Sequence, residues 1–241
     1  SMLDRPNTRP GTVPARLETL LPRTLKSLAR GGFPSPRLFV DGGEPKDYRF
    51  LGLEATCREP KVGTPANWWL ALQELWCRDA TADRYAIFQD DLVTYKNLRK
   101  YLELCTFPEN GYWNLYTFPS NLRIAPDAGA TGRKQVGWFK SAQTGRGAVA
   151  LVFDRRAALT LLTSLHMAER PLDPDRGWKA VDGGIVTAFV KAGGSEYVHS
   201  PSLVQHTGDL STMGNLPHPK ADSFRGDDFD AMELLAMVKD N

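Results

Sequence analysis

The chemically sharpest feature of this 241-residue chain is an apolar run that ends in two adjacent carboxylates, Tyr85-Ala86-Ile87-Phe88-Gln89-Asp90-Asp91-Leu92. Ligands of open α/β sheets gather beyond the carboxyl ends of the strands. Two acids side by side repel unless positive charge neutralises them. A divalent cation with oxygen ligands does so, above all one shared with a phosphate. The same two residues also suit a helix N-cap, through Asp90 or Asp91. A second feature is Ser200-Pro201-Ser202-Leu203-Val204-Gln205-His206-Thr207-Gly208, a short apolar segment that ends at a histidine. Imidazole suits a Mn²⁺-type site, and the segment equally reads as a strand end followed by a turn. The third is Gly177-Trp178-Lys179-Ala180-Val181-Asp182-Gly183-Gly184. An acid that opens a helix caps it against the dipole, or it aims a carboxylate into a cleft as a general base. Trp178 supplies either a wall for a sugar ring or plain packing.

The elements that must position these groups follow from periodicity. Leu17, Leu20, Leu21, Leu25 and Leu28 recur at helical spacing, with a helix start expected at Pro22 and a stop at Gly31-Gly32. Strands are expected at 37–40, Tyr48–Leu53, 85–88, Trp113–Phe118, Ala148–Phe153 and Glu196–Val198. Asn67 is the expected cap of a helix whose Trp68, Trp69, Leu72, Leu75 and Trp76 face the core. Further helices are expected at Tyr95–Leu104, Arg155–His166, Asp182–Val190 and 227–239. Residues 1–16 read as an extended segment, and 125–146, Gly- and Lys-rich around Trp138-Phe139, as a mobile loop or hairpin that orders over donor or acceptor. Strand and helix alternate over the first hundred residues, which predicts an α/β fold: one domain over 1–241 with a mixed, mainly parallel central sheet flanked by helices.

Composition agrees with a folded chain: 41% hydrophobic, 24% charged, net charge +2. That rules out a disordered segment, and the charge is too mild to argue for nucleic acid by itself. Cys57, Cys77 and Cys105 lie far apart with no CxxC pair, so reduced thiols in a cytoplasmic protein are expected, not a zinc knuckle. No apolar run approaches the roughly 18 residues of a membrane span, and no signal peptide is evident.

Five segments in this order carry a resemblance: Leu20-Leu21-Pro22-Arg23-Thr24-Leu25-Lys26-Ser27-Leu28, Leu38-Phe39-Val40-Asp41-Gly42, Phe88-Gln89-Asp90-Asp91, Val181-Asp182 and Pro201-Ser202-Leu203-Val204-Gln205-His206-Thr207-Gly208. The chain resembles a GT-A (Rossmann-like) glycosyltransferase. It is most similar to the group around the N-acetylglucosaminyltransferase IV-like and small bacterial or viral enzymes, over roughly residues 8 to 215. The resemblance implies hexosyl transfer from a UDP-sugar with Mn²⁺ (or Mg²⁺). On it, Asp91 and His206 hold the metal and Asp182 is the base of an inverting reaction. Asp90, Asp41, Trp178 and the loop residues Thr8 and Arg9 approach the donor. The acidic motif here is Gln-Asp-Asp in place of the family's acid-any-acid.

The acceptor stays open. Arg16, Arg23, Lys26, Arg30, Lys96, Arg99, Lys100, Arg133, Lys134 and Lys140 form either a solvated surface or a phosphate track. A track would suit DNA carrying a hydroxymethylated base, which must be flipped or exposed. A glycan or a protein is the other choice. Two rival functions are a sugar nucleotidyltransferase, which lacks its Gly-rich phosphate loop here, and a catalytically silent carbohydrate-binding module built on the six tryptophans.

Overall fold

A computed structural model describes residues 15–122, 136–168, 181–208 and 219–239. In chain order these hold α1 (Ala15–Arg30), β1 (Leu38–Asp41), a 3₁₀ turn (Pro45–Leu51), β2 (Ala55–Arg58), α2 (Thr64–Arg78), β3 (Arg84–Phe88), β4 (Leu92–Thr94) and α3 (Leu98–Leu104). There follow β5 (Gly111–Asn114), β6 (Gly137–Lys140), β7 (Ala150–Asp154), α4 (Arg155–Leu162), α5 (Leu165–Ala168), α6 (Val181–Lys191), β8 (Ser195–Ser200), β9 (Val204–His206) and α7 (Glu233–Lys239).

The architecture is α/β with a mixed sheet flanked by helices. Five strands lie in the order β3-β7-β5-β8-β6, β1 pairs with β2, and β4 pairs with β9. The expectation of a mainly parallel sheet fails for the five-stranded unit. Only β5–β8 runs parallel there, while β3–β7, β5–β7 and β6–β8 are antiparallel. The early alternation of strand and helix does produce parallel β1 and β2. β7 then returns between β3 and β5, a long-range placement that local periodicity cannot encode.

Residues alternate across the five-stranded sheet with the period of two that a pleated strand imposes. Tyr85, Tyr112, Leu151 and Phe153 pack on one face with Trp68, Leu72, Leu161 and Phe189. Trp113, Ala150 and Val152 pack on the other with Tyr101, Leu102 and Leu234. Each such buried large side chain contributes about 1.5–3 kcal/mol.

Four local expectations are corrected. Pro22 lies inside α1 on its exposed side and does not start it. Tyr48–Leu53 is not a strand: Pro45 opens a 3₁₀ turn, the Asp47 carboxylate accepts the Glu44 N–H at 3.2 Å, and the strand follows at Ala55. The helix of the tryptophans starts at Thr64 after Gly63, so Asn67 is not its cap. Its amide instead donates to Phe39 O at 3.2 Å, and its Oδ1 accepts Arg58 Nε at 3.0 Å. Trp138 sits on strand β6, stacked on Trp113 at 4.3 Å, and so belongs to the sheet and not to a lid. Residues 125–135 of the expected loop lie outside the described residues.

Candidate metal and donor site

The turn after β3 presents Asp90 and Asp91, 3% and 4% exposed. It is fixed from two sides. On one, Gln89 N donates to Val149 O at 2.8 Å. On the other stands Thr24 of α1, whose hydroxyl lies 2.8 Å from Asp90 O and 2.9 Å from Leu92 O and accepts the Leu92 N–H at 3.1 Å. Ser27, one turn on, accepts the Thr94 N–H at 2.8 Å. The buried stripe of α1 thus runs Leu21, Thr24, Ser27, Leu28, and its two hydroxyls clamp β4.

β4 carries the acids to the histidine. It pairs antiparallel with β9 so that Leu92 opposes His206, and Thr207 N donates to Asp91 O at 2.8 Å. His206 Nε2 then lies 3.2 Å from Asp91 Oδ2, with both side chains nearly buried. The two residues expected to share a metal, 115 positions apart, meet side chain to side chain. An imidazole nitrogen and a carboxylate oxygen facing each other are a donor set that fits Mn²⁺, provided the imidazole is neutral. Among the described residues no group of three or more His, Cys, Asp and Glu gathers to hold a metal.

Asp182 stands apart from this pair. It is half-buried in the first turn of α6, where Oδ2 accepts Gly147 N at 2.9 Å and Oδ1 accepts Gly183 N at 3.0 Å. Gly147 (φ +80°) is held closely: a Cβ there would meet Phe118 Cε1 at 2.8 Å and Tyr116 Cδ1 at 2.9 Å. Tyr116, which the sequence does not single out, lies between the two regions. Its phenol is pushed up to about 12, first by burial and then by the charges of Asp222 and Asp91, and its hydroxyl donates to Pro219 O. The Gly147 loop thus touches Tyr116 on one side and Asp182 on the other.

Asp41 ends β1, and its two carboxylate oxygens accept Val62 N at 2.8 Å and Gly63 N at 3.0 Å, which ties the loop that leads into α2. Glu196 is 1% exposed. It accepts Ser141 Oγ at 2.6 Å and both Asn114 Nδ2 and Tyr112 Oη at 3.0 Å, and burial pushes its carboxyl up. That set makes it a core anchor between β5, β8 and the segment after β6. Thr8, Arg9 and Trp178 lie outside the described residues. Several of the cations considered for a phosphate track are in ion pairs: Arg30 with Asp227 and Asp228, Lys96 with Asp228, and Arg99 with Glu103.

The three cysteines form no disulfide. Among the described residues no helix is long and apolar enough to cross a membrane. No protein-family model matches the chain, and no curated protein matches it.

Proposed function

We propose that this chain is a metal-dependent glycosyltransferase that moves a hexose from a UDP-sugar to an acceptor hydroxyl. The observation that carries the reading is the Asp91–His206 contact of 3.2 Å at the carboxyl end of β3. A carboxylate and an imidazole buried together at a sheet edge suit a cation better than they suit packing, because burying charge costs several kcal/mol per ion without full compensation. A bound Mn²⁺ or Mg²⁺ supplies neutralisation of the diphosphate leaving group. Asp91 and His206 hold that ion, and Asp90 and Asp41 close the donor end of β3 and β1. Asp182 takes the proton of the acceptor hydroxyl, held in place by Gly147 N and by its own helix start. Arg30, Lys96 and Arg99 being paired favours a glycan or protein acceptor over DNA.

The test is a thermal-shift comparison of UDP-glucose, UDP-galactose and UDP-N-acetylglucosamine, each with and without Mn²⁺. One of them at 100 times its Kd stabilises the fold by about 2.7 kcal/mol, and only with the metal. If none does so, or if the Asp91→Asn, His206→Gln double variant responds equally, the reading is wrong.

A further inference from the structure

Between β6 and β7 the main chain turns through left-handed residues at alternate positions, Gln143 (φ +56°), Gly145 (φ +62°) and Gly147 (φ +80°). Glycine adopts that region freely, whereas Gln143 does so only where its surroundings hold it there. Those surroundings are Glu196 of β8. The Gln143 carboxamide brackets the Glu196 main chain as a neighbouring strand would. Its Nε2 donates to Glu196 O at 2.8 Å and its Oε1 accepts the Glu196 N–H at 3.0 Å. Ser141 adds a second tie: its N–H donates to Glu196 O at 2.9 Å, and its hydroxyl donates to Glu196 Oε2 and accepts the Gln143 N–H at 2.9 Å.

The far end of the segment is tied to the same carboxyl through Asn114, the last residue of β5 and fully buried. The Asn114 amide nitrogen carries two hydrogens, and it donates to Glu196 Oε1 at 3.0 Å and to Arg146 O at 3.3 Å. The amide oxygen accepts the Tyr116 N–H at 3.0 Å. A reversed amide would set that oxygen against two acceptors, so its orientation is fixed. Arg146 O and Gly147 N belong to one peptide group, and the group is planar, so holding its oxygen aims its N–H. That N–H donates to Asp182 Oδ2 at 2.9 Å. Gly145 lies so close to the start of α6 that a Cβ there would meet Gly183 Cα at 2.6 Å. Packing alone does not call for an ionisable group at 196, because burying one carries a large desolvation cost. Burial pushes the Glu196 carboxyl up, its three donors oppose the shift, and the charge of Asp182 adds to it, so each acid lies in the other's field.

We propose that Glu196 is a positioning residue for Asp182: through Asn114, and through Ser141 and Gln143, it fixes the Arg146–Gly147 peptide group whose N–H holds the Asp182 carboxylate. Its catalytic consequence rests on the reading of Asp182 as the base of glycosyl transfer, and its structural one on the hydrogen bonds alone.

Amide hydrogen exchange of Gly147, measured by NMR on the full chain against the amides of β7, tests it. In Glu196→Leu the Gly147 amide exchanges about 10–100-fold faster than in wild type while β7 stays as protected as before. Glu196→Gln, whose Oε1 still accepts from Asn114, keeps Gly147 at its wild-type rate. Where Glu196→Leu does not fold, Asn114→Ala takes its place, because it cuts the bond to Arg146 O and leaves Glu196 its donors Ser141 and Tyr112. Unchanged Gly147 exchange overturns the proposal. So does equal acceleration of Gly147 and β7, which is loss of global stability alone, or a Glu196→Gln variant as fast as Glu196→Leu. In a transfer assay with UDP-sugar and Mn²⁺, the variant that frees Gly147 lowers kcat about 10²-fold at unchanged KM for the donor, and an unchanged kcat in an active enzyme also overturns the proposal. A wild-type chain that transfers nothing defeats the glycosyltransferase reading and leaves the exchange result standing. A wild-type chain that transfers, with Gly147 unaffected in the variant, defeats this inference alone.

Discussion

One group through which acid weakens this fold is a buried imidazole. His199 on β8 is fully buried. Its Nδ1 lies 2.7 Å from Pro201 O, a group that can only accept, so Nδ1 carries the proton. Nε2, 2.6 Å from Tyr101 Oη, therefore accepts the phenol O–H. The ring edges onto Trp138 at 4.9 Å and Tyr101 at 5.5 Å, and both ring nitrogens are in use by the neutral form. Burial lowers the imidazole from 6.5 to about 4. A base with a depressed folded pKa gives stability that is present above its unfolded pKa and lost as pH falls toward the folded one. Between about pH 7.5 and about pH 4.5 the two values give a loss of about 2–3 kcal/mol. Glu196 works the other way: its carboxyl is raised, so its contribution is present at low pH and lost as pH rises through the folded value. Glu196 is common to wild type and His199→Gln, so it cancels in the difference between them. Urea denaturation across this range should show the wild-type curve steeper than that of His199→Gln by about 2–3 kcal/mol, at unchanged m-value. Parallel curves, or an NMR titration of the His199 ring near 6.5, would refute the argument.

Further outcomes follow from the site. Asp91→Asn keeps the fold but abolishes the Mn²⁺-dependent part of UDP-sugar binding, as read by calorimetry with and without the metal. Asp182→Asn binds donor and metal as before while transfer falls by about 10²–10⁴-fold, measured as kcat; an unchanged rate moves the base elsewhere. Thr24→Val leaves the buried Leu92 N–H without its acceptor and costs about 1–3 kcal/mol in chemical denaturation, with weaker Mn²⁺ binding because β4 carries Asp91. At Gly145 (φ +62°) an added Cβ would meet Gly183 Cα at 2.6 Å, so Gly145→Ala costs about 1–3 kcal/mol and lowers transfer by moving the loop off Asp182.

What the sequence discloses is the chemistry at element ends, and what it conceals is long-range pairing. The strand 85–88 and the acids after it are legible because a short apolar run stopping at two carboxylates is a local pattern. His206 is legible for the same reason. Their meeting is not, because β4 and β9 are three residues each, too short to announce themselves as strands. Thr24 and Ser27 escape a search for apolar periodicity although they occupy the buried stripe of α1: a hydroxyl that satisfies a buried main-chain group fills a core position without an apolar side chain. Trp138 misleads in the opposite sense. An aromatic island among glycines and lysines reads as a mobile loop, but its partner Trp113 is 25 residues away on another strand. The antiparallel half of the five-stranded sheet is hidden because β7 inserts between strands that precede it in the chain.

The build of the β4–β9 ladder argues that the Asp91–His206 contact is an end and not a by-product. An isolated two-stranded ribbon is marginal in water, and this one has three residues on each side. It persists because α1 clamps one strand through Thr24 and Ser27, while Ser202, just before the other, accepts the Thr117 N–H at 2.9 Å and donates to Val204 O at 2.7 Å. Each buried hydroxyl needs a partner to avoid a penalty of about 1–3 kcal/mol, and all three find theirs in main chain on or beside the ribbon. A hydrophobic pair at 91 and 206 would fill the same space with no charge to bury. The same clamps hold the buried carboxylate and imidazole in register, and that rigidity is what the proposed cation site would require of its protein.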